Sequence, residues 1–359
     1  MKKILFTGGG SAGHVTPNVG LIETFLRDGW QVSYIGSVDG IEKDIIAELD
    51  IDYYSISSGK LRRYFSWQNF IDPVRILLGI VQSFLLCRRL SPDILFSKGG
   101  FISVPVVIGA WLNRIAVITH ESDITPGLAN RLCFPFAERV CVTFPETVSI
   151  LESAQVMLTG TPVRAAILSG DAAAGRRLLG LDSERKTLLF FGGSLGATAI
   201  NTVVHASLQQ LLKDHQIVHI CGAGNMRTDL ASLQNYHQLE YLHEEFGDLL
   251  ACADLVVSRA GANSIYELLL CKKPHILIPL SAQVSRGDQI INARTFAKLG
   301  YSKVIEEEAL TTEVLCAAIL GTLRDSTEII ARIDAFQSPD AVNVIHDLIL
   351  ATVQNGKSA

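Results

Sequence analysis

Twice in this chain an apolar strand runs straight into glycines and then into a helix, as ILFTGGGSAGH at residues 4–14 and as LLFFGGSLGATAIN at residues 188–201. A strand that is apolar on both faces belongs inside a parallel sheet, where helices cover it from both sides. The glycines permit the tight turn, and they leave the first N–H groups of the helix pointing outward. Each such unit opens a doubly wound domain. The remainder keeps the same grammar. In the first half, strand patterns fall at residues 3–7, 32–36, 53–57, 94–97, 116–119 and 139–143, with a short one near 155–160. In the second half they fall at 187–191, 217–221, 239–242, 255–257, 276–279 and 303–305. A chain of 359 residues exceeds one compact core. The pattern therefore predicts an α/β protein of two Rossmann-like domains, their parallel sheets facing across a cleft. The expected domains are residues 1–163 and 164–339, with the last helix, about 340–359, returning to pack on the first.

The composition narrows the partners. With 48% apolar residues, 19% charged residues and a net charge of −5, the chain lacks the basic excess of a nucleic-acid-binding surface. Its seven cysteines are scattered through apolar runs with no CxxC, which suits buried thiols of a reducing compartment and not a disulfide frame or zinc site. The apolar run behind Met1 is cut short by glycines, so it reads as a first strand and not as a signal peptide. No uninterrupted apolar segment reaches spanning length. A cytoplasmic protein is expected.

The densest cluster of polar groups lies at residues 253–293, ADLVVSRAGANSIYELLLCKKPHILIPLSAQVSRGDQIINA. An apolar strand enters the turn Ser258-Arg259-Ala260-Gly261, and a helix opens at Ala262-Asn263-Ser264. Free N–H groups at such a mouth suit a diphosphate. Glu267, about one turn further on, would repel phosphate but can accept hydrogen bonds from a ribose diol. A second strand and a polar loop then lead to a helix carrying Gln289 and Asn292. An ordinary strand-to-helix turn needs only the glycine. The crowding of polar residues at adjacent strand ends favours a ligand site.

Residues 8–14, GGGSAGH, formally contain GxGxxG. A dinucleotide site also needs an acid at the end of the second strand, where this chain has Gly36-Ser37 with Asp39 beyond, so NAD and FAD are disfavoured and no cofactor is expected. His14 stands where the helix begins, with Pro17 in its first turn. A helix N-terminus favours the neutral imidazole, which can act as a general base. A capping or packing histidine is the competing reading.

These segments, together with SKGGFISVPVV at 97–107, HESDITPGLAN at 120–130, SRAGANSIYE at 258–267 and DQIINA at 288–293, recur in order in one family. The chain resembles the MurG family of UDP-GlcNAc:lipid I N-acetylglucosaminyltransferases, in the SKGGF and HESD form of Gram-positive cocci and bacilli. The resemblance implies a GT-B fold and a metal-independent, inverting transfer of GlcNAc from UDP-GlcNAc to the C4 hydroxyl of the MurNAc-pentapeptide of lipid I, giving lipid II. It places the donor in the C-terminal domain. There Glu267 would hold the ribose, and Ala262, Asn263 and Ser264 would serve the diphosphate with Arg259 and Ser194. Gln289 and Asn292 would address the sugar, and uracil would lie near the backbone of Leu242 and His243. Arg164 matches an arginine at the interdomain linker and is grouped with the donor. On the acceptor side Gly10, Ser11, Ala12 and Gly13 would meet the lipid diphosphate. His14 and Glu121 are the catalytic candidates, with Asp123 and Asn130 beside them.

Three positions depart from the family's more familiar sequences: Asp123 stands where HEQN has an amide, Phe101 replaces a tyrosine, and Ala12 replaces a glycine. Asp123 either repels a diphosphate or serves as a base itself. Lipid I lies in a membrane, and residues 60–67, KLRRYFSW, with the apolar run 76–86, Arg88, Arg89 and Trp111, suit an anionic surface. A core helix with solvated arginines explains the same residues equally well. The expected location is the inner face of the cell membrane, held peripherally, with other cell-wall synthesis proteins as possible neighbours. Two alternatives remain: a UDP-GlcNAc 2-epimerase of similar fold, and a non-catalytic nucleotide-sugar-binding membrane adaptor.

Overall fold

The computed structural model of the chain describes residues 1–59, 68–193, 196–242 and 245–356. Ser194, His243 and the basic aromatic stretch at 60–67 therefore lie outside the described residues. The chain divides into two compact units, one of Met1–Arg164 with Ser338–Ala359 and one of Ala165–Gln337.

The first unit begins β1 (Lys3–Thr7), α1 (Thr16–Arg27), β2 (Gln31–Ser37), α2 (Ile41–Ala47), β3 (Asp52–Ile56) and α3 (Gln68–Leu90). It continues β4 (Ile94–Ser97), α4 (Ser103–Leu112), β5 (Ala116–Glu121), α5 (Leu128–Cys133), β6 (Arg139–Val142), α6 (Pro145–Leu151) and β7 (Val156–Leu158). The seven strands are all parallel, in the order β3-β2-β1-β4-β5-β6-β7. Side chains alternate across this sheet. Ile4 and Phe6 of β1 join one core with Leu21, Ile22 and Phe25 of α1. Leu5, between them, joins the opposite core with Val106, Val107 and Ala110 of α4. Both faces are dry, which is why these strands read as continuous apolar runs.

The second unit opens with α7 (Ala165–Leu168), α8 (Ala172–Leu179), β8 (Lys186–Phe191), α9 (Thr198–Leu211), β9 (His215–Ile220), β10 (Tyr236–Leu239) and α10 (Phe246–Cys252). It closes with β11 (Leu255–Ser258), α11 (Ala262–Leu270), β12 (His275–Leu277), α12 (Asp288–Lys298), β13 (Lys303–Val304), α13 (Thr312–Arg324) and α14 (Ser326–Asp334). Its six strands are parallel in the order β10-β9-β8-β11-β12-β13. The last helix, α15 (Ala341–Gly356), belongs to the first unit. Ile345, Ile349 and Val353 enter the α1 core, and His346 Nε2 reaches Asp28 Oδ2 at 2.7 Å.

The strand expected at 239–242 instead runs Tyr236–Leu239. It is the sheet edge, where only Tyr236 is buried and His237, Gln238 and Leu239 are half-buried, so its sequence lacks the apolar signature of a central strand. The first unit keeps Arg164, one residue beyond the expected boundary.

Candidate active site

In a doubly wound sheet, ligands bind at the carboxyl ends of strands where the strand order reverses, because the loops on either side lead away from each other. In the second unit that point lies between β8 and β11. The chain leaves β11 through Arg259, Ala260 and Gly261, and α11 begins at Ala262 with extended backbone at Gly261. Gly261, the N-cap, has no side chain with which to cap this helix, and a Cβ built on it would meet nothing within 4 Å. The starts of α9 and α12 likewise lack a side-chain cap. Three helix mouths thus follow the neighbouring strands β8, β11 and β12. Partial positive charge gathers there.

Around that edge the expected donor residues take different stations. Glu267 is half-buried on α11, about 7.5 Å along the helix axis from Ala262 at 1.5 Å per residue. Asn263 and Ser264 are half-buried in the first turn of α11, and Ala262 is buried there. Gln289 accepts a hydrogen bond at Oε1 from the Leu280 N–H at 3.0 Å, which shapes the loop after β12. Asn292 is fully buried, and its Nδ2 donates to the Ala260 carbonyl at 3.4 Å. It braces the turn from behind. The guanidinium of Arg259 is engaged internally: Nη1 and Nη2 reach the two Glu307 carboxylate oxygens at 3.0 and 3.1 Å, and Nη1 also donates to the Ile278 carbonyl at 3.2 Å. Glu307 accepts in turn from the Ser281 N–H at 3.1 Å. An arginine held this way meets a diphosphate only by exchanging one anion for another.

In the first unit the order reverses between β1 and β4, and the loops after those strands touch. The Gly9 N–H donates to the Gly99 carbonyl at 3.2 Å. A Cβ on Gly100, whose φ is +85°, would stand 2.1 Å from the Gly9 oxygen, so this crossing demands glycine. Gly10, Ser11 and Gly13 are exposed and Ala12 is half-buried. His14 is half-buried at the end of a 3-10 turn, Ala12–His14, that leads into α1. Arg164 is half-buried, and no described group bonds its buried Nε.

A fully buried carboxylate, Glu42, fills the space between the glycine loop and the end of β2. It accepts from the Gly10 N–H at 3.2 Å, the Ser37 N–H at 2.9 Å and the Ser37 hydroxyl at 2.5 Å. An acid does stand near the end of β2, but it comes from α2 and is spent on the protein's own backbone. A Cβ on Gly9 or Gly40 would strike it at 2.6 or 2.3 Å.

The His120–Asp123 segment carries the most interlocked side chains. Glu121 is 2% exposed, and its carboxylate accepts from the Asp123 N–H at 3.0 Å, the Gly127 N–H at 2.9 Å and Asn130 Nδ2 at 2.9 Å. Asn130, also buried, packs under Gly99, whose Cβ would stand 2.6 Å from Asn130 Oδ1. Glu121 and Asn130 therefore brace the loop. Asp123 is half-buried beside them. Lys98 follows β4 directly and is wholly buried; its Nζ donates to His120 Nδ1 at 2.7 Å and to the Ser122 hydroxyl. His120 Nε2 donates to the Gly160 carbonyl at 2.8 Å, which fixes the tautomer that leaves Nδ1 as an acceptor. Burial pulls the Lys98 pKa down to about 7 against the opposing pull of Glu121 and Asp123. Burial and the Lys98 charge hold His120 well below the ordinary histidine range.

Sequence reading passed over Lys98 and Glu42. Lys98 did leave a signal: a lysine fused to the buried strand ILFS has nowhere to put its charge without partners. In the second unit His205, His219 and Cys221 also gather within 4.8 Å. The His219 nitrogens are already bonded to Tyr236 at 2.9 Å and Asn201 at 3.0 Å, which makes this a packed polar network.

Comparison with known proteins shows the family. The glycosyltransferase family 28 N-terminal domain matches residues 4–142, and the glycosyltransferase family 28 C-terminal domain matches residues 187–348. The chain is 51% identical over 347 residues, 96% of each chain, to the UDP-N-acetylglucosamine--N-acetylmuramyl-(pentapeptide) pyrophosphoryl-undecaprenol N-acetylglucosamine transferase of Legionella pneumophila (strain Paris). It is 49% identical, over 99% of each chain, to the protein of the same name from Geobacillus thermodenitrificans. The crystal structure of Acinetobacter baumannii MurG superposes with a TM-score of 0.74 at 24% identity, covering 98% of this chain and 100% of that one, a likeness of fold.

Proposed function

The chain belongs to glycosyltransferase family 28, and from that premise we propose how its two units share one reaction. It transfers N-acetylglucosamine from UDP-GlcNAc to the N-acetylmuramyl-pentapeptide of lipid I, forming lipid II for peptidoglycan synthesis. The reaction needs a base at the acceptor hydroxyl, stabilisation of the departing diphosphate, and placement of two substrates. The observation that carries the donor assignment is the start of α11 behind a glycine N-cap, at the strand reversal of the second unit.

The acceptor oxygen forms its bond to the anomeric carbon as the bond to the diphosphate oxygen breaks, and UDP leaves with that electron pair. Its growing charge meets the amides of Ala262, Asn263 and Ser264, where partial positive charge already waits. Arg259 follows by exchanging Glu307 for phosphate. Glu267 accepts from the ribose hydroxyls, and Gln289 addresses the sugar. Ser194 and His243 complete the donor side by family position. The acceptor diphosphate meets Gly10, Ser11, Ala12 and Gly13. His14 takes the proton from the attacking hydroxyl, while Glu121, Asn130 and Asn292 hold the loops in shape. Purified protein, UDP-GlcNAc and a short-chain lipid I analogue, with product identified by mass, test the reading. UDP-ManNAc formed without acceptor would point to epimerisation instead, and binding without turnover would point to an adaptor.

No helix among the described residues is long and apolar enough to cross a membrane. One face of α3 nevertheless carries Val74, Leu77, Leu78, Val81 and Leu85, each at least 50% exposed, at the spacing that aligns residues along a helix. Its opposite face packs on α4, where Ser83 sits under Gly109. Arg75, Arg88 and Arg89 are exposed along the same helix, and Trp111 of α4 is 50% exposed. A helix with one packed face and one bare apolar face beside arginines is suited to lie on an anionic leaflet. Leu77→Glu combined with Leu85→Glu is expected to weaken co-sedimentation with anionic phospholipid vesicles about tenfold or more, given ~1.5–3 kcal/mol for each fully buried leucine. UDP-GlcNAc binding should not change. Undiminished co-sedimentation would exclude this face.

A further inference from the structure

We propose that Lys98 is a positioning residue for the acceptor, the internal cation that lets the Glu121 and Asp123 carboxylates stand beside a loop that must receive a diphosphate. The inference rests on the reading that the first unit binds lipid I. Lys98 lies at the strand reversal itself, between β1 and β4. Its backbone N–H donates to the Thr7 carbonyl at 2.9 Å, prolonging the sheet, and a Cβ on Gly8 would stand 3.2 Å from its own Cβ. Its stem therefore runs beneath the first glycine loop, and its amine ends on His120 and Ser122. One buried side chain links the three loops that the acceptor reading uses.

The charges explain why a lysine is worth burying there. Glu121 and Asp123 both act on Lys98 electrostatically, and a diphosphate brought to the same edge would add more negative charge. A buried cation among them offsets the repulsion at short range, where solvent does not screen it. The other groups that face the amine are His120, kept neutral, and the Cys141 thiol of β6, which burial pushes up to about 12. Lys98 is thus the group that changes charge near neutral pH, with its pKa drawn down to about 7. Below that pH it compensates the two carboxylates. Above it they stand alone.

The experiment measures KM for a short-chain lipid I analogue from pH 6 to pH 9 in the wild-type protein and in Lys98→Met, with the UDP-GlcNAc Kd as a check on the second unit. Lys98→Met is expected to raise the acceptor KM about tenfold at pH 6, as the loss of ~1.4 kcal/mol would. The ratio of variant to wild type should fall toward one by pH 9, since the wild-type lysine has then lost the same charge. The donor Kd should be unchanged. A lysine that only filled space would give a ratio independent of pH. Adding Asp123→Asn to Lys98→Met should restore part of the loss, because one of the two uncompensated charges is gone. If Lys98→Met fails to fold, the wild type carries the test with Asp123→Asn alone: its acceptor KM must climb between pH 6 and 9, and Asp123→Asn must flatten the climb. A wild-type KM without that climb, or a Lys98→Met KM equal to wild type at pH 6, overturns the proposal. If Asn130→Ala raises the acceptor KM and Lys98→Met does not, Lys98 alone is misassigned. If neither does, the acceptor reading of the first unit fails with it.

Discussion

Replacing Glu267 by alanine should raise the KM for UDP-GlcNAc about 100-fold, the loss of two hydrogen bonds to a charged group at ~1.5 kcal/mol each. The expectation follows from where α11 puts the side chain. Its first amides lie about 7.5 Å nearer the strand end, a separation comparable to that between a nucleotide's diphosphate and its ribose. A carboxylate at the helix mouth would compete with phosphate for the same N–H groups, whereas one further along meets the diol without opposing the diphosphate. Steady-state kinetics with a lipid I analogue, and calorimetric titration of UDP-GlcNAc alone, would both report the change. Glu267→Gln should lose less, since an amide oxygen still accepts a hydrogen bond. An unchanged KM in Glu267→Ala would remove the ribose from this residue.

His14→Ala should lower kcat by about 100-fold to 10,000-fold, the range that a positioned general base contributes. UDP-GlcNAc affinity should stay the same, since the donor is assigned to the other unit. His14 is the better of the two proton acceptors expected from sequence. Glu121 is buried under three N–H donors and would have to abandon them to take a proton. His14 is half-buried at the end of a loop whose Gly10, Ser11 and Gly13 are exposed. The pH–rate profile offers an independent check: the acidic limb should disappear in His14→Ala and persist in Glu121→Gln. Near-normal kcat in His14→Ala would end its candidacy.

Much of this fold was legible because its strands are buried on both faces. β1 and β4 read directly as ILF-type runs, and the glycines after them could only be turns. Tyr236–Leu239, an edge strand with one buried residue, was read three residues late for want of that pattern. The candidate site divides in the same way. Residues whose meaning is local, such as the helix start at Ala262 and the acid at Glu267, could be located from sequence alone. Asn292, Glu121 and Asn130 could be located too, but not their tasks. Each is buried and turned toward a backbone or a side chain that other segments supply.

The order of apolar runs, glycines and helix starts thus determined by itself that this chain makes two doubly wound units, and which strand ends carry polar loops. Periodicity and turn chemistry are properties of neighbours in sequence. Tertiary structure alone decided which charges are spent internally. Glu42 returns to Gly10 across 32 positions, Lys98 to His120 across 22, and Arg259 to Glu307 across 48. A buried charge takes its partner from whatever the fold brings within reach, and nothing in the local sequence records that distance.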